Sequence, residues 1–234
     1  MHLLDEPENT KKMWKSVIYK EWLKIRWFLI GYAILGIVSV GYIFLKVQHD
    51  FTFFEGKNYW YSILFQGYQY FSYMKFLPLA GAVAIGIAQY FPETINKRIK
   101  LTFHLPVKEN KLLLMMHAFG SLSILAAYLL IFVVFFGFSK VFFPTEIVRD
   151  AVITVFPWFL AGLTAYFMIA LIVLEPIWKY RAFYFITGAF FSTIYLKSAV
   201  TAGYAPVNLI LFVFTAALSI ALIFSAYRFR KGEM

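Results

Sequence analysis

Six long apolar runs limit the possible fold of this chain more than any other feature of its sequence. They cover residues of about 27–46, 70–91, 112–138, 151–174, 182–200 and 206–227. A helix rises about 1.5 Å per residue, so about 20 apolar residues cross the hydrocarbon of a bilayer. The runs are continuous rather than alternating, which argues against transmembrane strands. The sequence therefore predicts an all-α, polytopic membrane protein with six transmembrane helices.

Composition agrees with a lipid environment. The chain is 62% hydrophobic and only 15% charged, whereas soluble domains average about 45–50% and about 25%. The chain contains no cysteine, so it holds neither a disulfide framework nor a thiolate metal site.

The cations divide unevenly between the two predicted sides of the membrane. Sixteen of the 22 Lys and Arg residues lie in the leader 1–26, the segment 92–111, the turn 175–181 and the tail after 227. The remaining six lie in or beside the other three loops. Because cytoplasmic loops are enriched in cations, both termini and the segment 92–111 are predicted to be cytoplasmic. Topology and contact with anionic lipids then account for most of the net charge of +10, and no nucleic-acid partner is needed.

The leader 1–26 is predicted to precede the membrane domain 27–234 as a separate unit. Within residues 11–26, one helical face carries apolar side chains and the opposite face carries polar ones. The apolar face consists of Trp14, Val17, Ile18, Trp22 and Ile25, and the polar face consists of Lys12, Ser16, Lys20 and Lys24. This pattern favours an amphipathic helix in the headgroup plane, with Trp14, Ile18, Trp22, Lys20 and Lys24 at the membrane interface. A cytoplasmic extension of the first span is the alternative.

An aromatic-rich segment, 51–73, follows the first apolar run. Aromatic residues concentrate at membrane interfaces, so a loop half-sunk in the headgroup region is the favoured interpretation. An outer vestibule that contacts an apolar substrate is the alternative.

The sequence contains no convergent catalytic or metal site. His104 and His117 could pair with Glu93 around a metal, but a proline separates the two histidines, and a hydrogen-bonded or interfacial His117 is favoured. Glu175, at the end of the fourth run, is expected to be a solvated anchor. No GxxxxGK[ST] loop is present, so the chain does not bind a nucleotide phosphate by that route. We therefore expect a non-enzyme with no catalytic residue, metal or cofactor of its own.

The segment 92–111 and the leader carry a resemblance to a known family. The matching features are a Lys-Glu-Trp-Leu-Lys core at Lys20–Lys24, an acid at Glu93, a basic stretch over Asn96–Leu101, a Leu105–Pro106–Val107 step, and polar residues at Lys108–Glu109–Asn110. With six spans and cytoplasmic ends, this arrangement resembles the permease subunits of type-2 ABC exporters. The chain departs from the family in having Ile99–Lys100–Leu101–Thr102 after the basic residues, no Gly-Lys in the third span, and a short connection at about 197–206.

The resemblance implies a permease subunit of an ATP-driven exporter in the cytoplasmic (inner) membrane of a bacterium. An amphiphilic, peptide or lipid-like substrate would be moved or extracted. ATP and Mg would bind to a separate ABC ATPase subunit, and a second permease, identical or paralogous, would complete the path. A non-transporting membrane scaffold or assembly factor is the alternative function.

The segment 95–111 is predicted to be the coupling element of such a complex. A helix of about 94–103 would place Ile95, Ile99 and Phe103 in a stripe that docks on the ATPase, with Lys97 and Arg98 beside it. Glu93 would precede this helix, and Pro106 would end it, because proline cannot continue a helix and restricts the residue before it. A basic loop anchored on anionic lipid is the alternative.

Overall fold

The computed structural model describes residues 7–53, 56–95, 109–175, 177–197 and 201–231. In these ranges the chain is helical, with no strand, which confirms the all-α class. The helices are α1 (Pro7–Phe53), α2 (Gly56–Phe65), α3 (Leu77–Thr94), α4 (Glu109–Phe142), α5 (Thr145–Leu174), α6 (Trp178–Leu196) and α7 (Asn208–Lys231), with a 3₁₀ turn at Ser72–Met74 before α3.

Four of the described helical segments are long and apolar enough to cross a membrane. They are Lys12–Phe53, Ser72–Thr94, Lys111–Phe142 and Thr145–Leu174. Intrahelical hydrogen bonds satisfy the backbone of such segments, as a hydrocarbon environment requires. The chain is therefore a multi-pass helical membrane protein. Helices α6 and α7 coincide with the fifth and sixth apolar runs, and their crossing of the membrane stays a prediction.

Helix α1 is longer than any single membrane crossing requires. Its 47 residues correspond to about 70 Å of helix, more than twice the ~30 Å of hydrocarbon. Residues 7–26 of the leader and the first apolar run belong to this one helix. The division into a leader and a membrane domain stays a prediction. The location of residues 11–26 in the headgroup plane stays a prediction.

Helix α5 is the core helix of the bundle. Within its most apolar 18-residue window 83% of the residues are buried, against 28% for α1. It packs against α3, α4, α6 and α7, whereas α1 packs against α3 and α4. A glycine allows one of these close approaches: a Cβ at Gly162 would lie 2.7 Å from the backbone oxygen of Pro78. The Tyr128 hydroxyl donates to that same oxygen at 2.8 Å, which joins α4 to α3 at this crossing.

The aromatic segment 51–73 contains helix α2 and the 3₁₀ turn, and part of it packs into the core. Tyr59, Tyr70 and Phe71 are buried. The ring of Tyr70 stacks on Phe143 with a centroid distance of 4.3 Å. These buried aromatic rings stabilise the packing at this end of the bundle. The vestibule interpretation stays a prediction.

The basic end of the bundle is the end at which α3 and α5 finish and α4 and α6 begin. It carries Lys20, Lys24, Lys179 and Arg181. Glu175 follows α5 here and is completely buried, so the expectation of a solvated anchor is wrong. The backbone oxygen of Glu175 accepts a hydrogen bond from Arg181 Nε at 2.5 Å, which holds the α5–α6 turn close to the bundle.

Candidate functional site

A chain of polar side chains crosses the basic end of the bundle and joins five helices. We call it the polar network. Its members are Lys20, Glu21 and Lys24 of α1, Gln89, Tyr90 and Glu93 of α3, His117 of α4, Tyr166 of α5 and Ser219 of α7. Burying so many polar groups costs free energy unless each finds a partner, so the contacts decide what the network does.

Two lysines and two glutamates form the charged part of the network. Glu93 is only 2% exposed and is paired with Lys24 and, at 2.8 Å, with Lys20. Lys24 also contacts Glu21, which is 1% exposed, at 2.5 Å. The formal charges of the two lysines and two glutamates cancel, which offsets the cost of burying Glu21, Glu93 and most of Lys24. Lys24 is the shared partner of both buried carboxylates, whereas Lys20 remains 41% exposed.

Gln89 connects the charged part of the network to its hydroxyl groups. Its amide Nε2 donates to Glu21 Oε2 at 3.1 Å and to the backbone oxygen of Met116 at 2.8 Å. Both partners only accept, so the amide orientation is determined. Gln89 Oε1 accepts a hydrogen bond from the Tyr166 hydroxyl at 2.7 Å. The amide, although completely buried, is therefore satisfied on both its nitrogen and its oxygen.

The amide orientation of Gln89 sets the direction of the remaining hydrogen bonds. Because Tyr166 donates to Gln89, the Tyr90 hydroxyl donates to Tyr166, 3.1 Å away. Tyr90 then accepts from His117 Nδ1 at 3.2 Å. In the neutral imidazole the other nitrogen, Nε2, accepts from the Ser219 hydroxyl at 2.9 Å. The network thus assigns the His117 proton to Nδ1.

The space for this arrangement comes from Gly120. A Cβ at that position would collide with both the Tyr166 hydroxyl and the side-chain oxygen of Gln89. Glycine lets α4 lie against the two side chains where they meet, as small residues do between membrane helices.

The chemistry of the network suits the mechanical coupling of helices better than the transfer of protons. A proton relay would have to pass through the Gln89 amide, whose N–H groups exchange protons poorly compared with hydroxyl or carboxyl groups. Every link instead connects two different helices or two adjacent turns of one helix. Moving the end of α3 therefore strains contacts to α1, α4 and α5 together, and through His117 to α7.

Two of the seven predicted coupling residues, Glu93 and Ile95, lie at the end of α3. Glu93 is part of the network, and Ile95, 42% exposed, follows the last residue of the helix in an extended conformation. Lys97, Arg98, Ile99, Phe103 and Pro106 lie outside the described residues.

The predicted interface residues lie on α1. Ile18 and Trp22 are 42% and 38% exposed, as a lipid-facing position requires, while Trp14 packs on the cluster of Val17, Leu112 and Met116. Lys20 and Lys24 make ion pairs with Glu93, contacts that the sequence analysis did not foresee. Their role at the membrane interface stays a prediction.

Sequence reasoning missed Glu21, Gln89, Tyr90, Tyr166 and Ser219. The sequence carried two signs that Glu21, Gln89 and Glu93 have partners within the bundle. Glu21 lies between Val17 and Ile25 at a spacing of four, within the stripe of α1 that is buried. Gln89 and Glu93 are also four residues apart, in an otherwise apolar run. A polar residue on an apolar helical face indicates a partner on a neighbouring helix.

His117 is held by hydroxyl groups, so the interpretation of a hydrogen-bonded histidine is confirmed. Within the described residues there is no group of three or more His, Asp or Glu side chains that could hold a metal ion. His104, the other member of the proposed metal pair, lies outside these residues.

Helical bundle and buried network together define a class: a multi-pass helical membrane protein whose helices are joined by polar contacts at one end. Comparisons with protein-family models, with curated proteins and with solved structures gave no match.

Proposed function

We propose that this chain is the permease subunit of an ATP-driven ABC exporter in the inner membrane of a bacterium. Separate ATPase subunits would supply the energy, and a second permease copy or homologue would complete the path for an amphiphilic, peptide or lipid-like substrate. All six apolar runs would span the membrane, with both termini and the segment 92–111 in the cytoplasm.

One observation supports this proposal most strongly. Glu93, one residue before the end of α3, is held by two lysines of α1. The proposed coupling segment begins immediately after this point. Any force applied to that segment would therefore reach α1 directly, and would reach α4, α5 and α7 through Gln89, Tyr166 and His117.

This connection gives the proposed coupling segment a mechanical role. A simple turn between α3 and α4 needs only a few residues, whereas the chain has fourteen between Thr94 and Glu109. The length leaves room for a docking element. The contacts of Glu93 anchor the end of α3, from which this segment starts. Motion of the ATPase would tilt α3 with α1 as one body, because separating them breaks the ion pairs of the buried Glu93 with Lys20 and Lys24.

The first test is genomic, because an adjacent reading frame with a Walker A loop would favour the exporter. The decisive experiment is then co-expression with the ATPase subunit that such a reading frame encodes. The double variant Ile99→Asp, Phe103→Asp should release the ATPase while membrane insertion stays normal. The matched control, Lys97→Gln with Lys100→Gln, removes charge but keeps the apolar stripe, and it should retain the ATPase.

The reverse pattern, in which only the charge variant has an effect, would assign the segment to lipid anchoring. Retention of the ATPase by both variants, with normal transport, would refute the coupling assignment. A chain that binds no ATPase in any form would instead be the scaffold or assembly factor.

Orientation is tested separately by cysteine labelling. Asn58, Thr145 and Ala202 should be accessible from outside, and Asn96, Lys179 and Gly232 from the cytoplasm. Labelling of Asn58 or Thr145 from the cytoplasm would contradict the six-span arrangement.

A further inference from the structure

An apolar groove with a cation on its lining opens at the basic end of the bundle. It lies between α3, α5 and α6 and has a volume of about 390 Å³. Its apolar lining comes from Phe91, Ile172, Val173 and Phe185, one or two on each of the three helices. The volume falls in the range of small-molecule pockets, about 300–1,000 Å³.

The groove opens towards the surroundings of the bundle rather than into its core. Phe91 is 54% exposed and Phe185 is 64% exposed. Phe91 lies in the last turn of α3 and Phe185 lies two turns into α6, on surfaces that contact lipid when these helices lie in a membrane. Trp178, also on the lining, is 77% exposed in the first turn of α6, a position typical of an interfacial tryptophan.

Among the described residues that line the groove, Arg181 carries the charge. Its Nε donates to the backbone oxygen of Glu175, which fixes the guanidinium and uses one of its five donor hydrogens. The four Nη hydrogens form the outer edge of the group. The nearest acid in sequence, Glu175, is completely buried, while Lys179 is exposed and adds a second positive charge.

We propose that this groove binds one anionic phospholipid, with an acyl chain along Phe91 and Phe185 and the phosphate on Arg181. Arginine binds phosphate through paired N–H groups, and basic pockets between membrane helices on the cytoplasmic side bind anionic headgroups. This site requires that α6 lies in the membrane beside α3 and α5. It does not depend on the proposed coupling to an ATPase.

Lipid retention measured by native mass spectrometry of the purified chain tests the proposal. Mixed micelles would contain phosphatidylglycerol and phosphatidylcholine in equal amounts. The wild-type chain should retain phosphatidylglycerol at least about fivefold more than phosphatidylcholine, and Arg181→Gln should abolish this preference. The matched control Lys179→Gln, two residues away and exposed, should keep most of it.

A second variant tests the apolar part of the site. Ala182→Trp fills the groove from an exposed position on α6, so it should reduce phosphatidylglycerol retention with Arg181 still present. An unchanged thermal transition and elution volume would verify that this variant folds.

Two results would overturn the proposal. One is retention that is unchanged in both Arg181→Gln and Ala182→Trp. The other is displacement of the lipid by a tenfold excess of inorganic phosphate, which would show a simple anion site without an acyl chain.

Discussion

Lys24, rather than Lys20, should be the lysine that stabilises the Glu93 carboxylate. The two lysines lie one helical turn apart and both contact Glu93, but their surroundings differ. Lys24 is 12% exposed and also holds Glu21, whereas Lys20 is 41% exposed. A double-mutant cycle with Glu93→Gln, Lys24→Met and Lys20→Met separates the two pairs.

The structure sets the expected size of each effect. Removing one partner of a buried ion pair costs about 3–5 kcal/mol, because a charge is left buried without compensation. Lys24→Met removes the lysine that contacts Glu21 and leaves Glu93 paired with the more exposed Lys20, so its cost should lie at the lower end of this range. An exposed ion pair contributes only about 0.2–1 kcal/mol, so Lys20→Met should cost less than about 1 kcal/mol. The coupling energy of Glu93 with Lys24 should be about 2–3 kcal/mol, in the upper part of the range for residues in direct contact.

The assay is reversible unfolding in mixed micelles with increasing dodecyl sulfate, followed by helical circular dichroism. Lys15→Met, exposed on the same helix, is the matched control and should change the free energy of unfolding by less than about 0.5 kcal/mol. Equal coupling energies for Lys20 and Lys24, or wild-type stability of the Lys24→Met variant, would refute the reasoning.

Three further tests address the rest of the network. Tyr166→Phe removes a buried hydroxyl with two hydrogen-bond partners, so it should lower the free energy of unfolding by about 1–3 kcal/mol. The control Tyr61→Phe changes an exposed ring and should lower it by almost nothing. Equal effects of the two variants would contradict the proposed hydrogen bonds of Tyr166. Gly120→Ala should lower the thermal transition temperature, because the new methyl group collides with side chains of the polar network. The matched control is Gly137→Ala on the same helix, where the methyl group meets open space, and it should be neutral or stabilising by up to about 1 kcal/mol. The opposite order would show that α4 packs differently. Nitrogen NMR should find the proton of the neutral His117 imidazole on Nδ1, and protonation of Nε2 alone would reverse the inferred direction of the hydroxyl chain.

The helices themselves could be predicted from sequence because their cause is local. A continuous apolar run of about 20 residues leaves the backbone no partner except its own helix in a hydrocarbon environment. The runs 27–46, 112–138 and 151–174 therefore each fall within one helix, whereas the runs 70–91 and 206–227 begin before α3 and α7, and the run 182–200 extends past the end of α6 at Leu196. The observed helix bounds differ most from the predicted runs where polar residues extend a helix. Helix α1, for example, continues beyond the run 27–46 to Pro7 on one side and Phe53 on the other.

The network could not be predicted in the same way, because its contacts join residues far apart in sequence. Gln89 and Glu21 are separated by 68 residues, and His117 and Ser219 by 102. Such pairs depend on how each helix is rotated about its axis and which neighbour it faces, and hydropathy does not determine either. The sequence placed Lys20 and Lys24 on the polar face of the leader. Only the packing of α3 against α1 decided that this face meets Glu93, because a carboxylate buried at a helix end requires a cation from the helix beside it.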